Sequence, residues 1–549
     1  MAANEDILEH STLGQHIRGV ASPSTIQFRN LKYGTIPARF KESVPDDTLN
    51  PGPDNVVDGT QFGPTSPQER VGQAWDLELT GEAVLSCAPG QGDTEKMDEF
   101  KCLNMTVTIP KTALGTEKKG VHGLPVFVWV HGGGLCMGSN TWPQYDLRRF
   151  VERSVEVGKP VIGVSFNYRL NIFGFLASEE IGAGGNMGFK DQVLAFRWVK
   201  KHIAGFGGDP NNITAAGESA GAISLSTLLC AHVGTEGLFD RVVLMSGDAT
   251  LRKWRNRWWQ QKMYEDQSKY LKLEANDAEA RRKVLLETEA EKLTQKLPLL
   301  QHFCATIDGQ FLTEDLTLEA LMSGSSDRHK PSWCKEFVFG DTAHDGIVLK
   351  SRVLDPPGSL MRLKMACDMH LTPSEAQELL SAYGLDQSLP KKEEAERLLV
   401  LVSELRFYLP VLKAYQGWKA CSPPKRASVY HFHVPNPIAG PYKGLASHEL
   451  DVAYLLQNYD EHFDDHDRMI ARVMQDQYLR YIHGEGWSEE GKVLVFGRDG
   501  AVTVDEKDYD KLYRNGRGAV LEKIGVLKLW HVADVWQGAR QEEEEHAKL

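Results

Sequence analysis

Gly217-Glu218-Ser219-Ala220-Gly221 has the Gly-x-Ser-x-Gly pattern of a nucleophile elbow, a sharp turn that joins a strand to a helix. Residues 211–216 before it can form a short buried strand, and residues 222–229 after it are typical of a packed helix. The two outer glycines leave room where larger side chains would collide with the strand or the helix. Because the pentapeptide also occurs in unrelated proteins, the prediction of an exposed Ser219 depends on the rest of the chain.

The segments around this turn alternate between strands and helices. Buried strands are predicted at 124–130, 161–166, 241–247, 336–340 and 428–433, and helices at 145–157 and 191–204. Such alternation is typical of a mostly parallel sheet that is covered by helices on both faces. The sequence therefore predicts an α/β fold.

Two helical insertions interrupt the later strands, at about 254–300 and 354–420. The second contains a capping box that begins at Thr372, which predicts the start of a helix. Helices at such places either cap a pocket or pack on the outside, and the sequence leaves both open. Since no internal repeat or low-complexity linker is present, we predict a single domain over 1–549 with an acidic tail at 540–549.

Composition excludes several classes of partner. The chain has 549 residues and a formal net charge of -13, whereas nucleic-acid binding requires clustered positive charge. Its best apolar run, 124–130, is far shorter than the ~20 residues of a membrane-spanning helix. We therefore predict no nucleic-acid partner and no membrane span, and the sequence leaves the oligomeric state open.

The two ends of the chain bear on its location. Residues 1–6 lack the apolar core of a secretory signal, which predicts an intracellular, cytoplasmic protein with mostly free thiols. The last three residues, Ala547-Lys548-Leu549, resemble the Ser-Lys-Leu peroxisomal address. A chance match of three residues is the alternative to peroxisomal import.

His131-Gly132-Gly133-Gly134 follows the predicted strand that ends at Val130. Three glycines let the backbone pass close to a bound molecule with its amides turned inward. Gly133, Gly134 and Ala220 are therefore candidate N–H donors to an oxyanion. A phosphate-binding loop is the competing interpretation, but the Gly-x-x-x-x-Gly-Lys-Ser/Thr pattern is absent.

Further motifs, in the same order along the chain, resemble those of the type-B carboxylesterase and cholinesterase-like family, which has the α/β-hydrolase fold. They are the segment 31–40 ending in Arg-Phe, Asn167-Tyr168-Arg169-Leu170, the stretch 186–192, and Phe206-Gly207-Gly208-Asp209-Pro210. The resemblance extends from about Gly14 to about Trp487. It implies an intracellular carboxylesterase that acts on a small-molecule ester and needs no metal or cofactor.

The resemblance also implies a Ser-His-Asp triad with Ser219 as the nucleophile. The family has an acidic residue in a Gly-x-x-x-Asp-Glu-Gly segment, and the matching stretch 340–346 places Asp345 at that position. Asp345 is one methylene shorter than the usual glutamate, and Asp341 is the alternative acid. The position of the family's catalytic histidine matches His448, which would take the proton from the serine and return it to the leaving alcohol.

Some positions depart from the family pattern. The acidic partner expected for Arg39 is out of register, and the sequence leaves open whether Glu99 replaces it. Cys87 and Cys102 stand where secreted members form a disulfide, but we predict that they stay reduced. The loop between them contains no tryptophan, which argues against a choline ester. Leu135 replaces a frequent aromatic residue and predicts an aliphatic wall beside the acyl group.

The sequence therefore predicts a serine hydrolase that cleaves carboxylic esters through an acyl-enzyme. An acyltransferase, transesterase or cyclase using the same acyl-enzyme is the alternative, and a non-catalytic binding protein is a more remote one. His462 and His466 have a spacing that occurs in zinc sites, but the glutamate of His-Glu-x-x-His is missing. No metal site is predicted.

Overall fold

The computed structural model describes residues 5–81, 95–114, 123–273, 277–325, 329–422 and 425–538. The strands are β1 Glu5–His10, β2 Gln15–Ala21, β3 Thr25–Lys32, β4 Gly34–Thr35, β5 Val44–Pro45, β6 Val56–Asp58, β7 Asn104–Pro110, β8 Leu124–Val130, β9 Ile162–Phe166, β10 Ala177–Ser178, β11 Ala183–Gly184, β12 Gly208–Glu218, β13 Arg241–Met245, β14 Glu336–Thr342, β15 Arg426–Phe432, β16 Lys492–Gly497 and β17 Gly500–Asp505.

Most of the remaining regular structure is helical. The helices are α1 Gly72–Thr80, α2 Arg148–Glu156, α3 Asn171–Phe175, α4 Met187–His202, α5 Ala220–Cys230, α6 Arg257–Tyr270, α7 Ala278–Glu287, α8 Ala290–Thr294, α9 Leu318–Met322, α10 Lys350–Val353, α11 Ser359–His370, α12 Pro373–Ala382, α13 Lys391–Ser403, α14 Leu409–Lys419, α15 Leu450–Leu456, α16 Asp465–Ile482, α17 Glu506–Arg514, α18 Arg517–Ile524 and α19 Val526–Trp536. Within the described ranges no helix is long and apolar enough to span a membrane.

A 13-stranded sheet forms the centre of the fold, in the order β1-β2-β3-β7-β9-β8-β12-β13-β14-β15-β16-β17, with β6 beside β2. The strands from β9 to β16 in this order run parallel. β8, β9 and β14 are buried along almost their whole length, as expected for strands covered on both faces. The prediction of an α/β fold with a mostly parallel central sheet is confirmed.

The register of the central strands brings the key loops to one edge of the sheet. Gly217 in β12 pairs with Val130 in β8 and with Leu244 in β13, so these three strands end side by side. Because parallel strands all end at the same edge, the turns that follow them lie together. The glycine loop after β8 and the serine turn after β12 are therefore neighbours.

Both helical insertions are present. Helices α6 to α8 fall in the first, and α11 to α14 in the second. Thr372 accepts a hydrogen bond from the backbone of Glu375, whose carboxylate in turn accepts one from the backbone of Thr372, so the predicted capping box is formed. The prediction of one domain over 1–549 stays a prediction. The acidic tail, the peroxisome-like ending and Cys87 lie outside the described residues, whereas Cys102 is a buried free thiol.

Glu99 is the acidic partner of Arg39. Nε of Arg39 donates to Oε2 of Glu99 at 2.6 Å, and its Nη2 contacts the other carboxylate oxygen. Nη1 of Arg39 donates to the carbonyl oxygens of Leu285 and Thr288 at 2.6 and 2.7 Å. This largely buried ion pair therefore joins the N-terminal part of the chain to the first helical insertion.

Candidate active site

Ser219 lies on a strained turn between β12 and α5, with φ 50° and ψ -115°. A positive φ is unfavourable for a residue with a Cβ, so the surrounding packing must impose it. The two glycines of the motif allow that packing. A Cβ on Gly221 would lie 2.0 Å from the carbonyl oxygen of Val130, and one on Gly217 would lie 2.9 Å from the same oxygen. The predicted turn is present.

The glycine loop after β8 faces this turn. Gly133 has φ 93°, and a Cβ there would lie 2.2 Å from the carbonyl oxygen of Met137, so only glycine fits. Gly134 also has a positive φ, of 61°. Ala220 begins α5, an 11-residue helix whose first N–H groups are free to bind an anion. Within the described chain, the N–H groups of Gly133, Gly134 and Ala220 have no hydrogen-bond acceptor.

His448 and Asp345 are in contact. Nδ1 of His448 lies 2.6 Å from Oδ1 of Asp345, and both side chains are fully buried. Oδ2 of Asp345 accepts a hydrogen bond from the backbone N–H of Thr342 at 2.8 Å. Since an ionised carboxylate only accepts hydrogen bonds, the contact fixes the proton of the imidazole on Nδ1 and leaves Nε2 for other chemistry.

Asp341, the alternative acid, lies in a different cluster. Its Oδ1 is 2.7 Å from Nδ1 of His431, and its Oδ2 accepts from Arg514 at 3.3 Å. Its pKa is lowered despite burial, because His431 and Arg514 stabilise its charge. Asp341 therefore serves a buried ion-pair network and is not the partner of His448.

The second helical insertion supports the acid and the histidine. Between α13 and α14 the chain forms a π-helical segment, Glu404–Tyr408. The ring of Phe407 in this segment packs edge-on against His448, with centroids 5.6 Å apart. One turn earlier, the hydroxyl of Ser403 accepts a hydrogen bond at 2.9 Å from the N–H of Gly346, the residue after Asp345. This insertion therefore packs behind the candidate site.

Nε2 of His448 is next to Glu218 and not hydrogen-bonded to Ser219. It lies 2.8 Å from Oε1 of Glu218, an ion-pair distance, and the contact does not form a hydrogen bond. Within the described residues, the hydroxyl of Ser219 has no hydrogen-bond partner. Ser219 and His448 do line the same pocket, so the histidine is close to the serine without being engaged by it.

The charges around His448 are mostly carboxyls. Burial by itself lowers the pKa of His448, but Glu218 and Asp345 outweigh that effect and hold it well above 6.5. Burial raises the pKa of Asp451 to about 8, and the neighbouring Glu218 and Asp345 add to the rise. The pKa of Glu449 is also raised well above its usual value by burial and by nearby carboxyls.

Sequence reasoning did not assign these additional carboxyls to the site. Glu218 stands inside the Gly-x-Ser-x-Gly motif and Glu449 directly follows His448, so their positions beside the reactive residues were a usable signal. Tyr145 donates to Oδ2 of Asp76 at 2.9 Å and to Oε1 of Glu449 at 3.1 Å. A buried acidic network therefore lies behind the candidate triad.

A pocket opens in front of these residues. Its apolar wall is made by Trp75, Leu79, Ile223, Leu251, Leu300, Val348 and Leu349. Gly133, Gly134, Ser219 and His448 line this pocket too. Arg252 and Arg352, together with the uncharged ring of His302, form a positively charged side. The pocket can therefore hold a molecule with an apolar part whose reacting atom sits at Ser219.

Leu135 is not among the described residues that line this pocket, and its role beside the acyl group stays a prediction. It has a positive φ, of 61°, and its side chain is completely buried. Its carbonyl oxygen accepts a hydrogen bond from Asn171 at 2.7 Å, which anchors the end of the glycine loop. Leu135 therefore contributes to the hydrophobic core.

The histidine pair that resembles a zinc motif lies at the start of α16. His462 ends a short 3-10 turn, and His466 follows the N-cap residue Asp464, which accepts hydrogen bonds from the first N–H groups of the helix. Among the described residues, no group of three or more His, Cys, Asp or Glu side chains is arranged to hold a metal ion.

Sequence comparison identifies related proteins. A model of the carboxylesterase family matches residues 11–485. Lipase 3 of Yarrowia lipolytica is 27% identical over 490 residues, which are 87% of this chain and 89% of that protein. Juvenile hormone esterase of Heliothis virescens is 37% identical over 209 residues, 38% of this chain and 32% of that protein. Para-nitrobenzyl esterase of Bacillus subtilis is 32% identical over 236 residues, 42% of each chain.

Solved structures share the fold. A thermophilic PNB esterase superposes with a TM-score of 0.70 at 22% identity, over 94% of this chain and all of that one. The Geobacillus stearothermophilus carboxylesterase EST55 superposes with a TM-score of 0.68 at 23% identity, over 94% and 99% of the two chains. These neighbours are α/β-hydrolase esterases, so the sheet and its surrounding helices have the α/β-hydrolase fold.

Proposed function

The chain belongs to the carboxylesterase family and is a carboxylic ester hydrolase, and we propose that it cleaves small-molecule esters through a Ser219-His448-Asp345 triad. One observation carries the proposal. Asp345 lies 2.6 Å from Nδ1 of His448, and the same histidine lines one pocket with Ser219 and the glycine loop. A serine, a histidine oriented by a carboxylate and free N–H donors are the parts that acyl transfer requires.

The reaction begins with attack of Oγ of Ser219 on the ester carbonyl carbon. Nε2 of His448 accepts the hydroxyl proton, and Asp345 stabilises the imidazolium that forms. The carbonyl oxygen becomes an oxyanion, which accepts hydrogen bonds from the free N–H groups of Gly133, Gly134 and Ala220. Each such donor typically contributes on the order of 3 kcal/mol to lowering the barrier.

The tetrahedral species then collapses. The carbon–oxygen bond to the alcohol breaks, His448 gives its proton to the leaving alkoxide, and the acyl group stays on Ser219 as an ester. Water attacks this acyl-enzyme, with His448 again taking a proton, and the carboxylic acid leaves as Ser219 regains its hydrogen. No metal or cofactor takes part in these steps.

His448 must exchange one partner for another before the first step. Its Nε2 is beside Glu218, and no described residue forms a hydrogen bond with the hydroxyl of Ser219. Catalytic hydrogen bonds are often long or poorly aligned before substrate binds and tighten in the complex. We propose that a bound ester displaces Nε2 from Glu218 towards Ser219, while the Nδ1 contact with Asp345 is kept.

The test is hydrolysis of 4-nitrophenyl butanoate by Ser219→Ala, with Ser246→Ala as the matched control. Ser246 also has a positive φ, of 49°, and a buried hydroxyl without a hydrogen-bond partner in the described residues, but it does not line the pocket. We expect Ser219→Ala to lose at least about 10⁴-fold in kcat and Ser246→Ala to stay within about threefold. Retained hydrolysis by a folded Ser219→Ala variant would remove the proposal.

Product analysis separates hydrolysis from acyl transfer. With an added alcohol in large excess, we expect free butanoic acid to remain the main product. A butanoate ester of the added alcohol as the main product would instead identify an acyltransferase that uses the same serine.

A further inference from the structure

Two arginines form one side of the pocket that contains Ser219. Arg252 follows β13, and Arg352 lies in α10, and both line the pocket together with Gly133, Gly134 and Ser219. A Cβ built on Gly134 would meet a single neighbour, Nη2 of Arg252 at 3.1 Å. The guanidinium of Arg252 is therefore directly beside the proposed oxyanion donors.

Both guanidiniums are held by the same short segment. Nη1 of Arg252 donates to the carbonyl oxygens of Gln301 and Phe303 at 2.8 and 3.1 Å, on either side of His302. Nη1 of Arg352 lies 3.4 Å from Nδ1 of His302. Burial lowers the pKa of His302 well below 6.5, and the nearby arginines lower it further, so its ring is neutral and can accept from Arg352.

Neither arginine has a carboxylate partner among the described residues. Within the part of the chain that the structure describes, the side chain of Arg252 makes two hydrogen bonds, both to backbone carbonyls, and that of Arg352 makes one contact, with His302. Burial lowers the pKa of Arg252 to about 10, so it stays charged at neutral pH. A partly buried charge without a counter-ion is unfavourable, and an anion bound between the two guanidiniums would stabilise both charges.

Among the described residues that line this pocket, Glu449 is the one with a carboxyl side chain, and it forms no ion pair with either arginine. Glu449 is held by the hydroxyl of Tyr145 at 3.1 Å, beside Asp76. Its pKa is raised well above the usual value by burial and by Asp76 and Glu218, so the site disfavours a negative charge on this carboxyl. The positive charge of the arginine side is therefore available to a ligand.

We propose that Arg252 and Arg352 form an anion-binding subsite, so that the enzyme prefers esters that carry a negatively charged group over neutral esters of the same shape. The inference rests on the proposed function, because the ester must react at Ser219 while its anionic group contacts the arginines. Guanidinium groups suit this role since they bind carboxylates through two parallel hydrogen bonds.

The experiment compares kcat/KM for matched pairs of esters. Monoethyl succinate and ethyl 4-methylpentanoate place the charge, or its neutral replacement, on the acyl part. The second pair, 4-carboxyphenyl butanoate and 4-tolyl butanoate, places it on the alcohol part. In at least one pair we expect kcat/KM of the anionic ester to exceed that of the neutral ester by about 10- to 100-fold. Charge-assisted hydrogen bonds typically contribute enough binding energy for a difference of this size.

The same ratio is measured in Arg252→Met and Arg352→Met, with Arg257→Met as the control. Arg257 is an exposed arginine with 62% of its side chain accessible and does not line the pocket. We expect the ratio to fall about tenfold or more in each pocket variant and to stay unchanged in the control. A purely structural defect would lower kcat/KM for the anionic and the neutral ester alike. The ratio of the two values would then be unchanged, and that result would contradict the proposal.

A measurement on the unaltered protein covers the case in which these variants do not fold. Succinate should inhibit hydrolysis of a neutral ester at least tenfold more strongly than succinamide, and added salt should weaken that inhibition. Equal inhibition by succinate and succinamide would contradict the proposed subsite. A kcat/KM ratio of anionic to neutral ester near one in both ester pairs would contradict it as well. If hydrolysis of neutral esters still requires Ser219 in that event, the proposed function stands and only this inference fails.

Discussion

Oε1 of Glu218 lies 2.8 Å from Nε2 of His448, so the residue before Ser219 occupies the ring nitrogen that Ser219 needs. The other ring nitrogen is held by Asp345 at 2.6 Å. Two carboxylates therefore favour the protonated, inactive form of the histidine, and they hold its pKa well above 6.5 even though burial acts in the opposite direction.

This relationship predicts the pH dependence of the reaction. His448 must be neutral to accept a proton, so kcat/KM should rise with pH and its acid limb should have a midpoint above pH 6.5. In Glu218→Gln the main charge that stabilises the imidazolium is gone, and we expect the midpoint to move to lower pH. Initial rates across pH 5–9 measure both profiles. An identical midpoint in the two proteins would show that Glu218 does not control the histidine.

Substitution of the two candidate acids distinguishes their roles. Asp345→Asn removes the charge that orients His448, and we expect kcat to fall by about 10⁴-fold with the fold retained. Asp341→Asn removes the charge that pairs with the buried Arg514 and contacts His431, and we expect its main effect to be a loss of roughly 3 kcal/mol in unfolding free energy. Urea unfolding and ester hydrolysis together measure both effects. A large loss of kcat in a stable Asp341→Asn variant would reverse the assignment.

The glycine loop can be tested with two glycines of matching conformation. Gly133 and Gly234 have φ of 93° and 92°, but only at Gly133 would a Cβ collide with protein, 2.2 Å from the carbonyl oxygen of Met137. Gly133→Ala should displace the N–H donors and reduce kcat by about 10²-fold or more. Gly234→Ala, in open space, should cost about 1 kcal/mol of stability and leave kcat within about twofold. Similar kcat values for the two variants would argue against an oxyanion role for the loop.

The Arg39–Glu99 pair predicts a stability effect without a direct catalytic one. Glu99→Gln leaves a largely buried guanidinium with a weaker partner, and we expect a loss of about 2–3 kcal/mol in unfolding free energy. Glu378→Gln removes a surface contact with Lys523, 69% exposed, and should cost less than about 1 kcal/mol. Thermal and urea unfolding of both variants give the comparison. Equal losses of unfolding free energy in the two variants would mean that burial does not increase the contribution of the Arg39–Glu99 pair to stability.

The sequence predicts the features that depend on local patterns. Gly217 and Gly221 are required by the close approach of the Val130 carbonyl, so the serine turn can be recognised from five residues. The continuous apolar run of β8 likewise identifies a buried central strand. Asp345 and His448, which are 103 positions apart, were found only because their segments resemble those of a known family.

Features that depend on tertiary contacts could not be predicted in this way. Leu135 has an ordinary aliphatic side chain, and only the fold shows that its backbone has a positive φ and that its side chain is completely buried. Glu99 replaces an expected acid from another register, which only the folded position of Arg39 reveals. The contact of Glu218 with His448 joins residues 230 positions apart, and no sequence spacing encodes it.

The central claim is that Ser219 forms the acyl-enzyme, and peptide mapping after fluorophosphonate treatment tests it most directly. Such a probe forms a stable covalent adduct with a serine that a neighbouring base activates. We predict one adduct per chain, on the peptide that contains Ser219, appearing in step with the loss of ester hydrolysis and greatly slowed in His448→Ala. An adduct on a different residue, or full activity in a protein whose Ser219 is modified, would contradict the claim.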